Sequence, residues 1–314
     1  MKQIVTILVI LLGTVLAYAQ EIDIILSQGT QQDIIDTLSP VPASPEVEAN
    51  ASIEAKFKEP LNPMMTMRSV HLVKLSNEKK WGWFGFRWGK GHGKHQRIPG
   101  KIHYDPKTYT LRFTPQKPLE VGFYEIRYRH LMRARPGLGM RIKPIVYRFY
   151  VPEVINGFKL PPEPDEKKNN ATLLGIDFNG NGIRDDVERW IITHYAKDPK
   201  YPKTKTAIAL QVAWASQKIL ENPMIESNKF EKDSLACESY WADQKTKGLS
   251  GSEYVRFRRE NKIFGAPELE DKIFNTKERI LKSFEYNTAL SGHILTLRKG
   301  ELSACRTNID ELGE

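Results

Sequence analysis

The hydrophobic pattern of this chain changes period near residue 152. Before it, short runs alternate: Ser52-Ile53-Glu54-Ala55-Lys56-Phe57, His103-Tyr104, Tyr109 to Phe113, Tyr124 to Tyr128 and Ile145 to Val151. Side chains of an extended chain point to opposite faces in turn, so period two rich in β-branched and aromatic residues predicts strands with one buried face. After it, Val187, Trp190, Ile191 and Tyr195 recur at helical spacing, as do Ile208, Val212, Ala215 and Ile219. Pro199, Pro202 and Pro223 separate and end these runs, and further helices are expected over 234–245 and 276–290. A chain of 314 residues with this break is expected to form two domains, an all-β sandwich and a mainly α-helical domain. A mean hydropathy of −0.47 excludes a polytopic membrane protein.

The first residues predict export. Lys2 precedes an apolar run from Ile4 to Leu16, and Ala17-Tyr18-Ala19 forms a small-residue cleavage site, which sets a signal peptide at 1–19 and a flexible lead at 20–37. Export places the two cysteines, Cys237 and Cys305, in an oxidising compartment, where a single pair reads as one disulfide. The expected location is therefore periplasmic or at the cell surface, or secreted outright.

The β half carries a resemblance. Ser39-Pro40-Val41-Pro42-Ala43, the run Ser52 to Phe57 followed by Lys58-Glu59-Pro60-Leu61-Asn62-Pro63, and Leu111-Arg112-Phe113-Thr114-Pro115 with Leu119 and Gly122-Phe123-Tyr124 resemble the bacterial Ig-like domain of S-layer and other surface proteins. The likeness spans about 38–151 and implies an Ig-like β-sandwich serving as a structural or adhesive module. It implies no chemistry.

Residues 77–101 depart from that pattern. Seven basic residues, Lys79, Lys80, Arg87, Lys90, Lys94, Arg97 and Lys101, stand against Glu78, with Trp81, Trp83, Phe84, Phe86 and Trp88 among them. Aromatic faces stack on sugars or enter a lipid interface while cations neutralise phosphate or carboxylate. The expected ligand-binding set is Trp81, Trp83, Phe86, Arg87, Trp88, Lys90, Lys94 and Arg97, with an anionic envelope glycan, lipopolysaccharide or a protein partner as its target. Export argues against nucleic acid. The competing expectation is a hairpin extension whose rings pack on their own domain. Residues 40–151 hold 21 basic and 8 acidic side chains, a net +13, so the positive charge belongs to the β half. A second basic group, Arg127, Arg129, Arg133, Arg135, Arg141 and Lys143, reads either as a solvated strand face or as an anion-binding face. His92, His95 and His103 suggest a transition-metal site, which the flanking glycines disfavour.

Residues 152–173, with Pro161, Pro162 and Pro164, read as a stiff linker. The segment Asp177 to Glu188 then fits D-x-[DN]-x-[DN]-G-x5-E. Asp177, Asn179 and Asn181 supply side-chain oxygens, Ile183 a carbonyl, Asp185 the ninth position and Glu188 a bidentate twelfth, with Gly182 at the sharp turn. Hard oxygen donors at this spacing predict Ca²⁺. Arg184 replaces the usual apolar residue at position eight and the upstream prolines leave no entering helix, so a single structural loop of the dockerin type is expected. A metal-free turn capping the next helix is the alternative.

From Asn170-Ala171-Thr172-Leu173-Leu174-Gly175 through Asp185-Asp186-Val187-Glu188-Arg189, Ala236-Cys237, Asn275-Thr276-Lys277-Glu278-Arg279 and Tyr286-Asn287 to Ala304-Cys305, the helical half is similar to an uncharacterised family of exported bacterial proteins. That likeness spans about 156–306 and brings no activity. Trp190, Trp214, Tyr240 and Trp241 are expected in its core. The leading functional expectation is an exported binding or structural protein of the cell envelope, not an enzyme. The alternative is a cell-wall-acting hydrolase with a catalytic helical domain, but no nucleophile elbow, zinc-protease helix or phosphate loop is present.

Overall fold

A computed structural model describes residues 34–41, 47–75, 96–134 and 141–314. The chain divides into two compact units between Pro152 and Glu153. The first is built of β-sheets and the second mostly of helices, as the change of period predicts.

The first unit holds β1 (Ile35–Ser39), β2 (Ile53–Phe57), a helical turn α1 (Pro63–Thr66), β3 (Val70–Lys74), β4 (Gln96–Ile98), β5 (Gly100–Asp105), β6 (Thr110–Pro115), β7 (Gly122–Tyr128) and β8 (Ile145–Val151). They form two four-stranded sheets of order β1-β2-β6-β5 and β4-β3-β7-β8. Every neighbouring pair is antiparallel. Alternate side chains of both sheets enter one core: Ile53, Ala55, Phe57, Leu111 and Phe113 from the first, Val70, Leu72, Tyr124, Ile126, Tyr128, Tyr147 and Phe149 from the second. One expectation changes at the start. Ile34 is buried and β1 pairs Ile35 with Phe57, so the segment read as a flexible lead to residue 37 already contributes to the sheet.

The second basic group is partly neutralised. Glu125 is buried on β7 and bonds Arg127 at 2.5 Å and Arg148 at 2.8 Å. Arg133 meets Glu59 at 3.5 Å, and Arg141 donates to His130 Nδ1 at 2.9 Å. Arg135 lies outside the described residues.

In the second unit β9 (Glu153–Ile155) and β10 (Phe158–Leu160) form a hairpin, followed by α2 (Glu166–Asn169), α3 (Asp185–Tyr195), α4 (Pro202–Glu221), α5 (Asn228–Lys245), α6 (Gly251–Glu260), α7 (Pro267–Ile273) and α8 (Lys277–Leu290). The stretch read as a stiff linker therefore folds into this unit. Asn156 and Gly157 both take positive φ, 49° and 89°, the two-residue turn that matches strand twist. Leu160 then packs with Ile192 and Ala196, and Asn156 Nδ2 donates to the Ala196 carbonyl at 2.6 Å. An apolar side chain at the end of the hairpin gains more by covering α3 than by staying in water. The main core gathers Val187, Ile191, Ile208, Val212, Trp241, Ile263, Leu269 and Ile273, with Trp190, Trp214 and Tyr240 packed half-buried against it. Helix α5 starts six residues before the expected 234, and α6 and α7 are additions to the expected set. Serine 250 and Glu253 form a capping box at the start of α6. Among the described residues no helix is long and apolar enough to cross a membrane.

Cys237 on α5 is bonded to Cys305, the bridge expected of a single cysteine pair. Gln211 of α4 grips the chain on both sides of Cys305: its Nε2 donates to the Ala304 carbonyl at 2.8 Å and its Oε1 accepts from Arg306 N at 3.0 Å.

Candidate metal centre

The loop from Asp177 to Glu188 is closed by its own short polar side chains. Asp177 Oδ1 accepts from Gly180 N at 2.8 Å and Asn181 N at 3.2 Å, and its Oδ2 accepts from Gly182 N at 2.8 Å. Asn179 Oδ1 accepts from Asn181 N at 3.1 Å, and Asn181 Oδ1 from Ile183 N at 2.8 Å. Short Asn and Asp side chains favour such local bonds over helix or sheet. Gly180 and Gly182 take φ of +69° and +83°, a region where a side chain is strained. The ring of Trp214 would stand 3.0 Å from a Cβ at Gly182, so α4 packs directly against the turn.

Two acidic residues of the first turn of α3 face back into the loop. Asp185 is buried, accepts Phe178 N at 3.0 and 3.1 Å through its two oxygens, and donates its own N–H to the Ile176 carbonyl at 2.8 Å. Burial pushes its carboxyl up to about 8, and the neighbouring Glu188, Asp177 and Asp186 carboxylates add to the rise. Burial also raises Asp177. Glu188 is buried and takes Asn179 Nδ2 at 3.2 Å on Oε2. The structure thus brings Asp177, Asn179, Asn181, Asp185 and Glu188 together, with Ile183 on the same turn and its side chain in the core. Among the described residues no three His, Cys, Asp or Glu side chains converge as a ready metal cluster; here the oxygens face the loop's own N–H groups. The donor set still suits a hard cation, being oxygen only and carrying buried negative charge that protonation or a cation relieves.

Arg184, at position eight, turns away from the loop into the interior. Its guanidinium donates to Lys272 O at 2.7 Å and Ile273 O at 3.1 Å, the last carbonyls of α7, and to Asp186 at 2.5 Å. It therefore caps another helix, which explains the departure from the usual apolar residue. Arg279 of α8, 0 % exposed, lies beside it. It donates to the carbonyls of Asn169, Thr172 and Leu173 and to the side chains of Asn170 and Asn275. Desolvation, with the Arg184 charge adding, pulls its guanidinium down to about 10. Four of the residues on which the resemblance of the helical half was read, Asn170, Thr172, Gly175 and Asn275, gather around these two arginines. Nothing local in the sequence assigned either arginine this role; the polar residues Asn169, Asn170 and Thr172 upstream of Gly175 were its only trace.

Gly175 has φ +69°, and a Cβ there would meet Arg184 Cδ at 2.2 Å and Asn169 Oδ1 at 2.7 Å. Gly175→Ala is expected to cost about 2 to 4 kcal/mol through backbone strain and displacement of the guanidinium. Urea denaturation checks this, and an unchanged midpoint refutes it.

Of the set expected to bind an anionic ligand, Trp81, Trp83, Phe86, Arg87, Trp88, Lys90 and Lys94 lie outside the described residues, as do His92 and His95. Arg97 is on β4, opposite Val73, and lines an open depression of about 310 Å³ with Val70, Ile98, Pro99 and Gln116. His103 sits on β5 opposite Arg112.

No family model matches the chain and no curated protein matches it. Among solved structures it is similar to PcoC, a methionine-rich copper resistance protein from Escherichia coli, at 15% identity over 38% of this chain and 96% of that one, with a TM-score of 0.27. CopC from Methylosinus trichosporium OB3b is similar at 14% identity over 38% and 91%, TM-score 0.26. The surface layer protein SbsC, domains 1–6, is similar at 10% identity over 42% of this chain and 14% of that one, TM-score 0.25. Likeness of this extent assigns no ligand.

Proposed function

We propose that this chain is an exported binding or structural protein of the cell envelope. Its β unit acts as an Ig-like sandwich that recognises an anionic envelope component, and its helical unit is a scaffold stabilised by Ca²⁺. The observation that carries the first part is the net +13 of residues 40–151 against near-neutrality of the helical half. Two antiparallel four-stranded sheets sharing one core support the Ig-like reading. Catalysis is not part of the proposal: Asp186 is engaged by Arg184 and Asp185 by the Phe178 amide.

The test is co-sedimentation of the chain from Gln20, with and without residues 79–94, on lipopolysaccharide, peptidoglycan and anionic vesicles at low and physiological salt. The deletion stops short of Gln96 because β4 begins there. Salt-sensitive binding that the deletion abolishes supports the reading; absence of binding by a folded parent chain overturns it.

Asp177, Asn179, Asn181, Asp185 and Glu188 would hold Ca²⁺ by side-chain oxygens and Ile183 by its carbonyl, neutralising the loop's buried carboxylates. Calcium at 100 times its dissociation constant is expected to stabilise the unit by about 2.7 kcal/mol. The rise in Tm over EDTA, and a change in Trp214 emission from the ring against Gly182, should both vanish in Asp177→Asn. Equal melting in calcium and EDTA removes the ion from the proposal.

A further inference from the structure

Methionine is distributed unevenly in this chain. Of seven in all, five fall in two short segments, Met64, Met65 and Met67 in one and Met132 and Met140 in the other. The fold joins those segments. Asn62 N donates to the Met132 carbonyl at 2.9 Å, Ala134 N to the Pro60 carbonyl at 2.9 Å and Arg129 N to the Ser69 carbonyl at 2.7 Å. Residues 129–134 thus run alongside the turn that carries Met64, Met65 and Met67. Met140 lies outside the described residues and is left out of the site.

The turn is braced rather than loose. Asn62 caps α1 by accepting from Met64 N at 3.1 Å, buried Thr66 bonds the Pro63 carbonyl at 2.8 Å, and Ser69 Oγ donates to Thr66 O at 2.7 Å. Thr66 turns inward while the methionines turn out, Met64 88 %, Met67 59 % and Met65 37 % exposed. Met64 and Met67 stand three apart on one helical turn, which sets Cβ atoms about 5–6 Å apart on the same face. Thioethers on flexible stems at that spacing can close on one ion.

Burying an apolar patch explains neither the exposure nor the choice of residue, since Leu or Ile would serve as well. What methionine alone adds among the apolar side chains is a soft, neutral sulfur donor. Soft thioethers select monovalent copper over hard divalent ions. The neighbours point the same way. The carboxylate of Glu59, the hard donor on this segment, is engaged by Arg133. His130 adds no ligand in this arrangement: arginine has no acceptor, so its bond from Arg141 occupies Nδ1 and leaves the proton on Nε2.

We infer that Met64 and Met67, with Met65 and Met132 beside them, form a thioether site for a soft monovalent metal ion of the Cu(I) class on the β unit. The site is separate from the oxygen-lined loop of the helical unit and independent of whether that loop takes calcium.

The experiment uses the chain from Gln20 and two probes, Ag(I) in chloride-free buffer and Cu(I) held anaerobically by a competing chromophoric chelator. One equivalent of either ion is expected to bind, with the methyl resonances of Met64, Met65, Met67 and Met132 shifting and that of Met224 unmoved. Met64→Leu combined with Met67→Leu preserves exposed apolar area, so it spares folding and any lipid-docking role of the turn. It is expected to weaken the ion at least tenfold, whereas Met224→Leu changes nothing. Failure of the parent chain to bind either ion overturns the inference, as does equal binding by the double variant. Vesicle binding by a parent chain that takes up neither ion assigns the turn to a lipid surface instead and equally overturns it.

Discussion

Arg279→Met is expected to lower the stability of the helical unit by about 3 to 5 kcal/mol, because methionine fills much of the stem's volume and satisfies none of its acceptors. The guanidinium reaches Leu173 O at 3.0 Å, Asn169 O at 2.8 Å, Thr172 O at 3.1 Å and Asn170 Oδ1 at 3.0 Å. Each buried acceptor left unpaired costs about 1 to 3 kcal/mol, partly recovered where water enters. Arg279→Lys should recover less than half, since one ammonium cannot present donors in a planar fork. The loss should reach the Asp177–Glu188 loop, because these bonds fix the backbone just before it. The amides of Gly175 and Ile176, bonded to Thr172 Oγ1 at 3.1 Å and Asn169 Oδ1 at 2.9 Å, should exchange with solvent faster than amides of α4. Urea denaturation and hydrogen exchange test both statements. A midpoint shift equivalent to less than 1 kcal/mol would show that water replaces the guanidinium without cost.

Replacing Cys237 and Cys305 together by alanine is expected to cost roughly 4 kcal/mol, the chain-entropy value for a cross-link between residues 68 apart. The native arrangement should survive, since Gln211 holds Ala304 and Arg306 on either side and the Arg306 guanidinium lies 3.8 Å from the centre of the Trp214 ring. The effect therefore acts mainly through the unfolded chain, which opens further once the cross-link is gone, and the denaturant slope should rise with the fall in midpoint. Equal midpoints for the oxidised protein and the double variant would refute it. So would two free thiols in non-reducing mass spectrometry of the parent chain.

The two-part architecture was legible because period and burial are linked locally: Ile53, Ala55 and Phe57 alternate in sequence and all three side chains are buried. The Asn156-Gly157 turn was equally legible, lying between Ile155 and Phe158, but three nearby prolines made the stretch read as an extended connector. Pro161 and Pro162 instead pack, with the Pro161 carbonyl accepting from Arg189. Proline stiffness sets local shape; whether the stiff piece stands free depends on an apolar neighbour such as Leu160 finding a surface. The basic strand residues misled in a similar way. Glu125 precedes Arg127 by two residues on the same strand and lies opposite Arg148 in register, so a charge run without acids among its own members still found a buried counter-charge.

The loop and the arginine pair show where local information ends. Every bond closing Asp177 to Ile183 joins residues two to five apart, so residue types at fixed spacing encode that turn without help from a distant contact. The single cysteine pair likewise left one intramolecular bridge to make. Arg279, by contrast, meets Leu173, Thr172, Asn170 and Asn169 across 106 to 110 residues, and Arg184 reaches α7 across 88 and 89. A guanidinium offers five donors to whatever carbonyls surround it, so only the packing of α7 and α8 against α3 and the loop before it decided that these two arginines would be buried and which groups they would satisfy.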